Sequence, residues 1–328
     1  MYYRVGGLPG ISLCMRPWQG VGAILFYHRV LPREIVLADK GPNRFLAISE
    51  ESFDAQIRHL SRNYEVISMD EMVLRSRKKK SHFGVAVTFD DGYKDNYQFA
   101  YPILKNHKIP ATLYMTTRFL AGDTHLWWFE LWDRIGETTQ LCLNWNNERL
   151  EWDTSTLSGK HQCFEAVREL MLKTGTKGQE QILKQISKGE SLRQYPGLCL
   201  SSDDLVAMDK DGLVSIGSHT HTHFSLASLS ESELVYEMDR SKKILESLLK
   251  KPVRHLAYPF GAAKDAGPRE ASIAERLEHT TGVTTITGFV NRGSHPFSLP
   301  RIAVREHINA KKLGVLLSGF PALTGKAP

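Results

Sequence analysis

The chain has 328 residues, 41% of them apolar and 24% charged. That is enough to bury one large core or two small ones, and the composition excludes a disordered tail or a coiled coil. Lys and Arg total 42 against 36 Asp and Glu, a formal charge of +6, which favours an anionic partner or a membrane surface and is too small and scattered for nucleic acid.

The first residues, Met-Tyr-Tyr-Arg-Val-Gly-Gly, lack the charged start, apolar centre and small-residue site of a secretory signal. No apolar run reaches the roughly 18 residues of a membrane span. A cytoplasmic location follows as the expectation, with no transmembrane segment and peripheral contact with the inner face of the membrane. Cys14, Cys142, Cys163 and Cys199 show no CxxC spacing, so buried reduced thiols are expected.

Residues 23–27 read as a buried strand. Ser49 caps a helix with Phe53, Ile57 and Leu60 on one face. Residues 64–67 form a short strand, and Ser68 with Glu71 has capping-box spacing. The basic run 75–80 reads as a solvated helix end. Residues 85–89 and 111–115 are strands around a helix near 95–106. From 119 to 200 the strand-helix rhythm stops, and five of the six tryptophans lie there; this is read as a mostly helical insertion in a single domain spanning 1–328. Its tryptophans either line a sugar groove or, as with the i, i+4 pair Trp128 and Trp132, anchor the insertion as core. The rhythm resumes with a helix capped by Ser201, a strand at 213–216 and a helix opened by a Ser230/Glu233 box. A strand at 255–258, a helix at 270–278 and strands at 283–286 and 301–304 follow. Repeated βα units predict a parallel sheet, open or closed, with chemistry at the C-terminal strand ends.

Two features carry that chemistry. TFDDGY at 88–93 ends an apolar strand with adjacent carboxylates and a glycine turn. A solvated turn is the plain alternative. SHTHTH at 218–223 follows another strand and places His219 and His223 at i, i+4, which on a helical turn brings two imidazoles to one side. His221, between them, is expected to point away. Together they suggest a His-His-Asp site for a divalent metal, with the second carboxylate free as a base on water.

This pair of motifs, in this order, resembles the polysaccharide deacetylases (carbohydrate esterase family four, the NodB-homology domain). The resemblance runs from about residue 22 to 304, apart from the insertion. It implies a distorted (β/α) barrel of about seven parallel strands. It makes Asp90 the catalytic base, Asp91, His219 and His223 the metal ligands, and the Tyr93 amide an oxyanion donor. Pro259 and Phe260, in LAYPFG at 256–261, fall on the substrate side. Ala257 fills the slot where the family carries an arginine; Arg254 is out of place, and Arg301 is the expected replacement beside Asp90. The family's C-terminal histidine, the general acid, has only His307 as a late counterpart. Residues 23–28 have the same design of a buried strand ending in histidine. They resemble the permuted poly-N-acetylglucosamine deacetylases and nominate His28. The implied reaction is metal-dependent removal of an N-acetyl group from an amino-sugar saccharide, or from its lipid- or nucleotide-linked, diphosphate-bearing precursor, in cell-envelope synthesis. Zinc is the implied metal, with cobalt, nickel and manganese as alternatives. A deformylase, an O-deacetylase and an inactive sugar-binding protein are the competing readings.

Overall fold

The computed structural model describes residues 20–78 and 81–319. The N-terminal residues read against a signal, Cys14, and Lys79 and Lys80 of the basic run lie outside the described residues. Seven parallel strands close into a barrel: β1 (Gly22–Tyr27), β2 (Gly84–Phe89), β3 (Ala111–Met115), β4 (Val214–Ser218), β5 (His255–Ala257), β6 (Thr281–Thr287) and β7 (Leu299–Ala303). Neighbours in sequence are neighbours in the ring, and β1 closes it by pairing with both β2 and β7. The expected barrel is therefore what forms.

Alternation along the strands separates two cores. Ala23, Leu25 and Tyr27, with Val85, Val87 and Phe89, pack outward into the layer shared with the helices. Ile24, Ala86, Tyr114, Ala257, Val283 and Leu299 form a separate inner cluster. Carrying that period past the strand ends puts His28 and Asp90 on the inner face. The β1–β2 register, Tyr27 opposite Phe89, sets them side by side.

Helix Glu50–Asn63 is capped by Ser49, whose hydroxyl accepts from the Ser52 amide, and it buries Phe53, Ile57 and Leu60. Helix Glu231–Leu249 opens with a reciprocal Ser230/Glu233 box. Ser68 accepts from the Glu71 amide to cap helix Met69–Arg77. The basic run is not wholly solvated: Arg75 is buried and pairs with Glu65 and Glu71. Its guanidinium also donates to the His82 carbonyl, so burial is matched by partners.

The stretch between β3 and β4 holds helices Trp127–Gly136, Leu157–Lys173 and Gly175–Ile186. It also holds an antiparallel hairpin, Gln140–Trp145 with Glu148–Asp153, which the reading as mostly helical leaves out. Asn146 and Asn147 turn it with φ of 52° and 65°, the left-handed pair that a two-residue hairpin needs. Of the thiols, Cys163 and Cys199 are buried, but Cys142 is exposed on the hairpin. No helix among the described residues is long and apolar enough to cross a membrane.

Candidate active site

At the C-terminal mouth of the barrel lies a cavity of about 520 Å³ lined by His28, Asp90, Asp91, Tyr93, His219 and His223. Each comes from the end of a strand or the turn after it, where a parallel barrel gathers side chains.

Asp90 is buried against Arg301, which is itself fully buried. The guanidinium donates from Nη1 to Oδ1 at 2.8 Å and from Nη2 to Oδ2 at 2.7 Å. Its Nε donates to the Thr284 carbonyl at 2.8 Å, and its Cζ lies 4.5 Å from the Phe26 ring centre. Burial alone would raise the Asp90 carboxyl; the charge and hydrogen bonds of Arg301 more than offset it, and the group sits below the ordinary carboxylate range. Arg301 reaches Asp90 from β7, whereas Arg254 is exposed and faces Asp70.

Asp91 faces two imidazoles. Its Oδ1 lies 3.3 Å from Nε2 of His219 and 3.2 Å from Nε2 of His223. Nδ1 of His219 donates to the Ala257 carbonyl at 2.8 Å, which leaves its Nε2 as a lone pair directed at the carboxylate. Lone pairs facing an anionic oxygen repel unless a cation or protons lie between them. The three donor atoms lie within 4.8 Å of one another, and all three residues are buried. Two imidazoles and one carboxylate suit a late divalent metal, so these residues fit one.

The two histidines do not converge on a helical turn, as their spacing suggested. Residues 219–223 form a bent loop, with Thr220 and His223 both at φ 64°. Asp91 (74°) and Phe260 (61°) are left-handed too, a concentration of costly backbone typical of functional sites. Gly92 follows Asp91 at φ 86°, and a Cβ there would meet Met115 Sδ at 2.2 Å.

A residue that the sequence did not single out supports this loop. Glu237, buried on helix Glu231–Leu249, accepts from the amides of His221 and Thr222 at 3.1 and 2.8 Å and from the Thr222 hydroxyl at 2.6 Å. It thereby fixes the segment between the two histidines. His221 turns away and meets the Thr117 hydroxyl through Nδ1 at 3.0 Å.

His28 is half-buried on the cavity wall. Burial pushes its imidazole below the ordinary value, against the pull of Asp91 and Asp90. Its backbone is clamped: Asn96 donates to the His28 carbonyl at 2.8 Å, and Asp95 accepts from the Val30 amide at 3.0 Å and from Arg29 at 2.8 Å. These partners continue directly from TFDDGY, so the signal for them lay beside the motif. His307 is exposed and also borders the cavity.

The Tyr93 amide donates to no acceptor among the described residues. Phe260 lines the cavity and meets the His223 ring edge-on at 5.0 Å. Pro259 is buried in the turn, where its carbonyl accepts from Gly261, and does not line the cavity. For Trp128 the sequence left open a sugar groove or the core of the insertion. Reaching in from the insertion, its ring lies 5.0 Å from that of His223, and its indole donates to the Tyr93 hydroxyl at 3.1 Å. It is buried yet lines the cavity, so it is core and wall together.

Comparison with known proteins places this geometry. YxkH of Bacillus subtilis is 23% identical over 300 residues, covering 90% of this chain and 76% of its own. A poly-β-1,6-N-acetyl-D-glucosamine N-deacetylase of Staphylococcus aureus is 28% identical over 177 residues, which is 51% of this chain and 59% of that protein. The Streptococcus pyogenes deacetylase PplD, solved with acetate, superposes with a TM-score of 0.59 at 21% identity, covering 89% of this chain and 95% of that one; this is a likeness of fold. The polysaccharide deacetylase family model matches residues 77–281. That span holds Asp90, Asp91, His219 and His223 but neither His28 nor Arg301. It takes in well over half of the sequence, and the chain belongs to the polysaccharide deacetylase family.

Proposed function

We propose that this protein removes the acetyl group from N-acetylated amino-sugar units of a cell-envelope saccharide, releasing acetate and a free amine. One observation carries the reading: a buried carboxylate held ionised by Arg301 sits beside a carboxylate facing two imidazoles, at the mouth of one barrel. The name of the staphylococcal relative supports an N-acetylglucosamine unit.

In this reading Asp90 accepts the proton of the attacking water, and Arg301 keeps it charged and aimed. Asp91, His219 and His223 would hold a divalent ion, zinc by its donor set, which would supply Lewis acidity toward an acyl oxygen and a more acidic water. The Tyr93 amide donates to the oxygen that gains charge. His28 gives a proton to the departing nitrogen; burial lowers its pKa and so makes the imidazolium a stronger acid, while Asp91 and Asp90 partly oppose that shift. Trp128 and Phe260 wall the site from water.

Arg168 and Arg305 also line the cavity, which suits a diphosphate-linked saccharide as well as free polymer. The test measures bound metal and then incubates the protein with N-acetylated, N-formylated and O-acetylated saccharides, free and diphosphate-linked, with mass spectrometry of products. New amines with acetate support the reading. Formate or ester cleavage alone would reassign it to a deformylase or O-deacetylase. Sugar binding with no product would make it a binding protein.

A further inference from the structure

His28 sits at a joint in the backbone. Strand β1 ends at Tyr27, and a short strand, Arg29–Leu31, goes on to a separate two-stranded sheet with Ala47–Ser49. His28 lies between them and belongs to neither. Its imidazole makes no hydrogen bond with a described residue and leans on the Phe26 ring, edge-on at 5.7 Å. A general acid must come within about 2.6–3.2 Å of the atom it protonates. The aim of this ring therefore depends on how firmly its backbone is held.

Two buried residues just past TFDDGY hold it. Asn96 donates from Nδ2 to the His28 carbonyl at 2.8 Å and to Asp95 Oδ1 at 3.1 Å. Asp95 in turn accepts from the Val30 amide at 3.0 Å and from Arg29 Nε at 2.8 Å. All three residues of the joint are thus tied to one point. Asn96 opens a π-helical turn that runs to Ala100, a wide turn that recurs at functional sites. Its Nδ2 faces two oxygens, so the amide cannot be turned over, and its Oδ1 is left buried without a partner. An unpaired buried acceptor works against stability. What the side chain secures is the His28 carbonyl.

Taking as given the deacetylase reading above, with His28 as the acid, we propose that Asn96 is a positioning residue for the reaction. It holds the joint so that the imidazole is aimed at the departing nitrogen. Asn96 does not itself line the cavity and acts through His28.

The test compares acetate release from the N-acetylglucosamine trisaccharide with hydrolysis of 4-nitrophenyl acetate, whose leaving group needs no proton. It uses the wild type, Asn96→Leu, His28→Ala and the double variant, each checked for fold and bound metal. Asn96→Leu keeps much of the volume and removes the donor. On the amide it should lower kcat by about 10- to 100-fold, the loss expected of a group misplaced by about 1 Å, with KM within about twofold. Its ester rate should stay within about threefold of the wild type. The double variant should be no slower on the amide than His28→Ala alone, because an absent ring cannot be misaimed. Equal losses on amide and ester, or losses that multiply in the double variant, mark a merely structural role and overturn the proposal. Full amide activity in Asn96→Leu overturns it too. If His28→Ala is itself unimpaired, or the wild type releases no acetate, the reading beneath it fails and the proposal falls with it. Should Asn96→Leu not fold, Asn96→Ala, which adds no bulk, is read in the same way.

Discussion

Arg301 and Asp90 lie 211 residues apart in sequence and meet inside the barrel with both oxygens engaged. Replacing Arg301 with Met keeps much of the volume and removes the charge. Asp90 is then a buried carboxylate with its principal counter-charge gone, while the Thr88 hydroxyl and Thr284 carbonyl each lose a donor. Breaking a buried pair from one side costs about 3–5 kcal/mol, which lowers the folding equilibrium by roughly a hundred- to several-thousand-fold. Asp90→Asn, which leaves the guanidinium buried without its counter-charge, should cost a similar amount. The double variant removes both charges at once, and such neutral replacements are often tolerated. Even if the double costs as much as one single, the sum of the two single costs should exceed it by about 3 kcal/mol or more. Arg301→Lys should not rescue, because an ammonium cannot serve two oxygens and a carbonyl in one plane. Urea unfolding of the four proteins, followed by circular dichroism, closes the cycle. If the single costs add, or if Arg301→Met costs less than about 1 kcal/mol, the pair is not the buried, mutually dependent unit described.

Alanine at Asp91, His219 or His223 should abolish metal binding and acetate release together, whereas Asp90→Asn should keep the metal and lose most turnover. Metal analysis of the purified variants checks this, and loss of metal in Asp90→Asn would reverse the two carboxylate roles. His28→Ala should retain fold and metal and lower kcat on an amide by about 100- to 10,000-fold, with a much smaller loss on an activated ester. Near-full amide activity, together with inactivity of His307→Ala, would move the acid to His307. A pH effect on stability should come from His279, which is buried with neither ring nitrogen partnered and held down to about 3 by burial, with Lys242 and His255 adding to it. Below about pH 6.5 the unfolded chain takes up a proton that the folded one refuses, so stability is full above that pH and falls below it. Its share of the slope approaches about 1.4 kcal/mol per pH unit between pH 6 and 4. His279→Leu should flatten the slope by that amount, and unchanged slopes in urea titrations would refute the assignment.

The sequence alone determined what depends on neighbours a few residues apart. Ser49 and Ser230 cap the helices they were expected to cap, because a cap is settled within one turn. Residues 23–27 and 85–89 were legible as buried strands followed by His28 and Asp90, but they are apolar almost throughout, so which side chains face inward was settled by the barrel. The carboxylate pair and the spaced histidines were likewise legible as metal-ligand chemistry by residue type, but not as a geometry. His219 and His223 converge through a left-handed loop that Glu237 secures from a helix 14 residues beyond, whereas i, i+4 spacing pointed to a helical turn. The seating of Arg301 between Asp90 and Thr284, and of Trp128 against His223, was decided only by tertiary structure. Barrel closure through the β1–β7 pairing, and docking of the insertion on the mouth, bring those groups together. Local propensity acts over one or two turns of chain, while strand register and core packing fix distances between residues hundreds of positions apart.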